Sequence, residues 1–133
     1  MPYVTLAGRV LYSLIFLMAP LSHFAPQTVA YAAQSGVPMP GVLVPLSGVI
    51  ALAGGLSVLF GYKAKLGAWL LVVFLVPVTF MMHAFWTVQD PMMHQFQLGN
   101  FMKNVSLLGA ALLISQFGAG PLSLDSRRGT SAM

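Results

Sequence analysis

Three small polar groups interrupt an otherwise apolar sequence, and their spacing suggests chemistry. Thr79, His83 and Trp86 follow an i, i+4, i+7 pattern, so on a helix they share one face. Asn100, Lys103 and Asn104 follow i, i+3, i+4 and share another. Arg9, Tyr12 and Ser13 repeat that second spacing near the N-terminus. Imidazole, ammonium and amide groups brought together offer hydrogen bonds to a carbonyl oxygen or an anionic headgroup, and Trp86 offers an apolar wall. For Arg9, an anchor to inner-leaflet phosphates is as good a reading as a ligand contact. His23 and His94 sit where a membrane interface tolerates a polar tip, and Trp69 and Trp86 also suit an aromatic belt.

What these groups signify depends on the solvent around them. Of 133 residues, 58% are hydrophobic and 6% charged, and the mean hydropathy is +0.85. A soluble domain carries roughly 25% charged residues, so this chain must use lipid as part of its solvent. Four apolar stretches run over about 4–24, 40–60, 65–86 and 97–117. Each has the roughly 20 residues needed to cross a hydrocarbon core of about 30 Å as a helix. Their length and lack of period-two alternation predict helix over strand. Pro38 and Pro40, the turn 61–65, Asp90-Pro91, and Gly118, Gly120 and Pro121 punctuate the boundaries. The expected architecture is an all-α integral membrane four-helix bundle, forming one domain over residues 1–133. A short interfacial helix carrying Tyr31 is expected over Gln27–Gln34. Ala30-Tyr31-Ala32 has the form of a signal-cleavage site. It lies too far beyond the apolar run, with Pro26 between, so the first span is expected to be retained.

Lys and Arg set the orientation. Arg9, Lys63, Lys65, Arg127 and Arg128 all fall on one side of a four-span chain, and the two longer loops carry none. The positive-inside rule then places both termini and the 61–65 turn in the cytoplasm. His23, His83, Trp86, Asn100, Lys103 and Asn104 consequently gather in the outer half. Lys103 lies inside the fourth span, where facing lipid at the bilayer centre costs a few kcal/mol. It is expected to face the bundle or to snorkel outward, with His83, Asp90 or the Val73 carbonyl released by Pro77 as candidate partners. Pro77 is expected to kink the third span. Ser47, Ala51 and Gly55 form a small-residue stripe suited to close helix packing.

Several functions are excluded or disfavoured by what the chain lacks. With no cysteine, it has no disulfide, thiol redox centre or cysteine-ligated iron–sulfur cluster of its own. It also lacks a glycine-rich dinucleotide fingerprint and a carboxylate cluster, and no metal site is expected. A haem held between His23 and His83 is disfavoured because neither has an obvious supporting carboxylate. The net charge of +4 reads as topology and anionic-lipid contact, not nucleic-acid binding.

A resemblance covers nearly the whole chain. GRVLYSLIFL at 8–17, YAAQSGVPMP at 31–40, VPLSGVIALAGGLSVLFGYKAKLGAWLL at 44–71, MMHAFW at 81–86, FMKN at 101–104 and GPLSLD at 120–125 are similar to the DoxX family of small four-span bacterial membrane proteins. The resemblance implies an inner-membrane bundle. It also implies an accessory or ligand-binding subunit of a quinone-linked redox system, acting with a membrane or redox protein partner. A small-molecule or lipid carrier, and a structural partner without catalysis, are the alternatives. Arg9, His83, Trp86, Lys103 and Asn104 match the family pattern. A glutamate common in the second span of relatives does not: residues 49–55 read VIALAGG. The expected ligand site is therefore His83, Trp86, Lys103, Asn104 and His23, with Arg9 as a second candidate and a quinone as the bound molecule.

Overall fold

The computed structural model describes residues 1–127, so Arg128 lies outside the described residues. Helix α1 (Pro2–Met18) begins on a proline, whose missing N–H costs nothing in a first turn. It tightens into a 3₁₀ segment, Ala19–Phe24, around the buried Pro20. A short helix α2 (Pro26–Gln34) follows, carrying Tyr31. Helix α3 (Pro40–Phe60) again starts on proline and ends at Gly61, whose φ of +66° gives the left-handed cap that glycine adopts without strain. Helices α4 (Ala64–Met82), α5 (Pro91–Phe117) and the four-residue α6 (Leu124–Arg127) complete the chain. No strand occurs among the described residues. Four segments, Pro2–Phe24, Pro40–Phe60, Ala64–Thr87 and Pro91–Phe117, are long and apolar enough to cross a membrane.

Packing runs in the order α1, α3, α4, α5. α3 reaches both neighbours through adjacent glycines. A Cβ on Gly54 would lie 2.8 Å from Leu71 Cδ2 of α4, and one on Gly55 would lie 2.9 Å from Phe16 Cβ of α1. Backbones come this close because association in lipid depends on tight packing more than on water exclusion. The core comprises Phe16, Ala51, Val58, Leu71, Phe74, Leu75 and Ala111. The outward faces carry exposed residues such as Leu11, Val49, Val73 and Leu113, as a lipid-facing surface must. α1 and α5 share little backbone contact and are joined by the Tyr12 hydroxyl, which donates to the Leu107 carbonyl at 2.7 Å.

Three helix limits differ from the sequence reading: the α-helix of the first span ends at Met18 and continues to Phe24 as 3₁₀, and two limits change in the later spans. α4 stops at Met82, because His83 leaves helical geometry with φ −123° and ψ 43°. The chain then makes a 3₁₀ turn, Phe85–Thr87, in which Phe85 and Trp86 both stack edge-on against Phe101. α5 begins at Pro91, ahead of the expected 97. Asp90 Oδ2 accepts the Met93 N–H at 3.1 Å, so Asp90-Pro91 caps and opens the helix. Pro77 lies within α4 and is exposed on its outer side, so it does not face the interior of the bundle.

Candidate functional site

Most of the proposed site residues meet at one cavity. It has a volume of about 100 Å³ and lies between the end of α1, the second half of α4 and the middle of α5. His23, His83, Lys103 and Asn104 all line it, against apolar walls that include Phe16, Phe74 and Leu107. Three segments far apart in sequence therefore deliver the four polar side chains to one place.

Each side chain is held differently. His23 Nδ1 lies 2.9 Å from Ser47 Oγ, and that hydroxyl donates to the Val44 carbonyl at 2.6 Å. His83 Nδ1 lies 2.8 Å from Gln97 Oε1. The Gln97 Nε2 donates to the Tyr31 hydroxyl at 2.9 Å, which in turn is 3.4 Å from the Met82 carbonyl. Lys103 is exposed at the cavity's edge, and its ammonium donates to Asn100 Oδ1 at 3.3 Å. None of the three partners expected for Lys103 takes that bond. Asn104 is only 6% exposed, yet its amide makes no hydrogen bond with any described residue. An amide carries two donors and an acceptor, and the Asn104 amide atoms are not sealed from solvent as the Thr79 hydroxyl is, so they open onto the cavity.

Trp86 is not brought to this cavity. The helical face linking it to Thr79 and His83 ends where α4 ends, and Trp86 is 55% exposed on the aromatic cluster with Phe85 and Phe101. Thr79 is buried, and its hydroxyl has no partner among the described residues. His94 stacks on Phe85, with Nδ1 3.2 Å from the Val88 carbonyl. Gln97 and Tyr31 were not expected as parts of the site. The i, i+7 relation of Gln97 to Asn104 was the available signal, since it places both on one face of α5.

Arg9 belongs to the opposite end. Its guanidinium is turned inward, donating to the carbonyls of Ala119 at 3.0 Å, Pro121 at 3.1 Å and Leu122 at 2.8 Å. Being 6% exposed, it ties the chain after α5 to α1 and does not reach for a lipid phosphate. The same chain segment carries Asp125, whose two carboxylate oxygens accept the backbone N–H groups of Lys63 at 2.7 Å and Ala64 at 2.9 Å. This fastens the start of α4, where unpaired N–H groups favour a carboxylate. A second, larger depression of about 520 Å³ runs between α3 and α4 at this end. Its walls include Leu56, Phe60, Leu66 and Leu70, and it converges no comparable set of polar side chains.

Bundle and cavity together define a multi-pass helical membrane protein with a polar recess at one end. Over residues 1–130 the sequence matches the SURF4 family, and the chain belongs to that family. It is 29% identical over 128 residues to the inner membrane protein YphA of Escherichia coli, covering 95% of this chain and 91% of that protein. It is 26% identical over 121 residues to the inner membrane protein YqjF of the same organism, covering 90% and 88%. Identity is 32% over 127 residues to the Surfeit locus protein 4 homolog of Schizosaccharomyces pombe, covering 95% of this chain but only 38% of that protein. No solved structure gives a significant match. The chain is a multi-pass inner-membrane protein.

Proposed function

We propose that this protein is a ligand-binding inner-membrane subunit of a quinone-linked redox system, and that the recess formed by His23, His83, Lys103 and Asn104 receives the oxygen-bearing edge of a quinone-type ring. The observation that carries this reading is the Asn104 side chain, which lines the cavity wall, is 6% exposed, and has no hydrogen-bond partner among the described residues. A molecule supplying the missing hydrogen bonds recovers the cost of leaving them unmade. The resemblance to DoxX proteins favours a quinone among lipid-soluble candidates. With no cysteine, dinucleotide fingerprint or carboxylate cluster in the chain, electrons must pass to or from a partner subunit.

Mass spectrometry of protein purified in native nanodiscs tests the proposal. A quinone is expected at near one per protein in the wild type and at much lower occupancy in His83→Leu and Lys103→Met at equal folded yield. Equal quinone content in all three, or none in the wild type, would reject it. The exposed Lys103 at the cavity edge favours a second reading, a carrier of an anionic amphiphile. That reading predicts a co-purifying lipid in place of the quinone.

A further inference from the structure

The hydrogen-bond partners around the cavity assign where its hydrogens lie. The Tyr31 hydroxyl, on a side chain 44% exposed, has the Met82 carbonyl at 3.4 Å as its acceptor and donates its single hydrogen there. The Tyr31 oxygen then accepts from Gln97 Nε2, which turns the Gln97 carbonyl oxygen toward His83. An amide oxygen does not donate, so His83 Nδ1 carries the hydrogen. A neutral imidazole has one N–H, and Nε2 of His83 is left with a lone pair. His23 follows the same logic independently. The Ser47 hydroxyl spends its hydrogen on the Val44 carbonyl and accepts from His23 Nδ1, leaving Nε2 of His23 as an acceptor too. No described residue bonds to either Nε2.

Two relays, each ending on a backbone carbonyl, thus set both cavity histidines to accept. We infer that the recess selects the dihydroxy, reduced form of a quinone ring over the dicarbonyl form; this rests on the quinone reading above. A phenolic O–H donates to an imidazole lone pair, while its oxygen accepts from the Asn104 amide or the Lys103 ammonium. A carbonyl oxygen has no hydrogen to give and leaves the imidazole acceptors unpaired. At about 100 Å³ the recess is smaller than the roughly 150 Å³ apolar cavity that admits benzene, so it takes the oxygen-bearing edge of a ring and not the whole ring.

The test compares three molecules sharing one ring: tetramethylhydroquinone, tetramethylbenzoquinone and the dimethyl ether of the hydroquinone. The four methyl groups block addition of the Lys103 amine to the quinone. Binding is measured anaerobically in nanodiscs at pH 8, where an ordinary imidazole is neutral, with protein-free nanodiscs subtracted. The hydroquinone should bind at least about tenfold more tightly than either other compound, the factor expected when one buried acceptor goes unpaired. Gln97→Leu, which frees the His83 ring to take its other tautomer, should shrink that preference. Nitrogen-15 NMR of histidine-labelled protein should show Nε2 as the unprotonated nitrogen of His83 in the wild type. Quinone binding as tight as hydroquinone binding overturns this inference and leaves the quinone reading standing. Equal binding of the ether, or an unprotonated Nδ1, also overturns it. If none of the three binds, both fall.

Discussion

The two ends of the bundle bury polar side chains to opposite effect. At the basic end, Arg9 and Asp125 reach across the chain, Arg9 donating to three backbone carbonyls and Asp125 accepting from two backbone N–H groups. The Arg9 Nε has no partner among the described residues. At the other end, Asn104 is as little exposed, and neither its amide nor the Nε2 of either cavity histidine bonds to any described residue. A buried charge saturated with bonds holds a fold together. A buried amide beside empty space is poised for something from outside. Being charged or lying within a membrane span does not separate the two cases, because Arg9 and Lys103 share both properties. Bonding separates them: Arg9 makes three hydrogen bonds to backbone carbonyls, whereas Lys103 makes one, to Asn100.

The sharpest way to break this contrast is to remove a member of each end. Arg9→Ala should leave three carbonyls without their donor and lower stability by on the order of 3 kcal/mol. Unfolding in a fixed micelle composition, followed by circular dichroism, measures this; an unchanged midpoint would deny Arg9 its role as a clasp. Asp125→Ala should cost less, about 1–2 kcal/mol, as loss of a helix N-cap does. The same melt reads it out, and amide exchange at Lys63 and Ala64 should quicken. Asn104→Leu should be smallest of all. The ligand-free protein should melt within about 1 kcal/mol of wild type, since removing an unpaired amide relieves a cost. A large loss of stability there would mean that Asn104 serves the fold after all.

Particular residues show what the sequence disclosed and where it was silent. The 40–60 span coincides with α3 because its limits are local: Pro40 opens it, and Gly61 closes it with a left-handed turn. His23, His83, Lys103 and Asn104 could be grouped by depth, which follows from span order alone, and they line one cavity. Trp86 could not be placed, because the residues around it are as apolar as those of α4 itself. The helix ends where His83 turns toward Gln97 and the aromatic cluster gathers on Phe101, both contacts with a later helix. Arg9 looked like a lipid anchor because nothing local announces that residues 119–122 fold back over it. The Asp90-Pro91 pair was legible but ambiguous, since a loop break and a capped helix start use the same two residues.

Orientation decides which side of the membrane faces the cavity. The native chain has no cysteine, so single cysteines report cleanly. Gln34→Cys, beside the cavity end, should react with an impermeant maleimide from outside intact cells, and Arg127→Cys should not. The opposite pattern would turn the recess toward the cytoplasm while leaving the contrast between the ends intact.

The central claim is that the unsaturated end, and not the larger apolar groove at the basic end, is the binding site. Photo-crosslinking with a diazirine-bearing hydroquinone, followed by peptide mapping, tests it most directly. The account predicts adducts in 15–23, 74–83 and 103–107, competed by the unmodified hydroquinone and lost in Asn104→Leu. Adducts concentrated in 53–70, along the α3–α4 groove, and unchanged in that variant would contradict it.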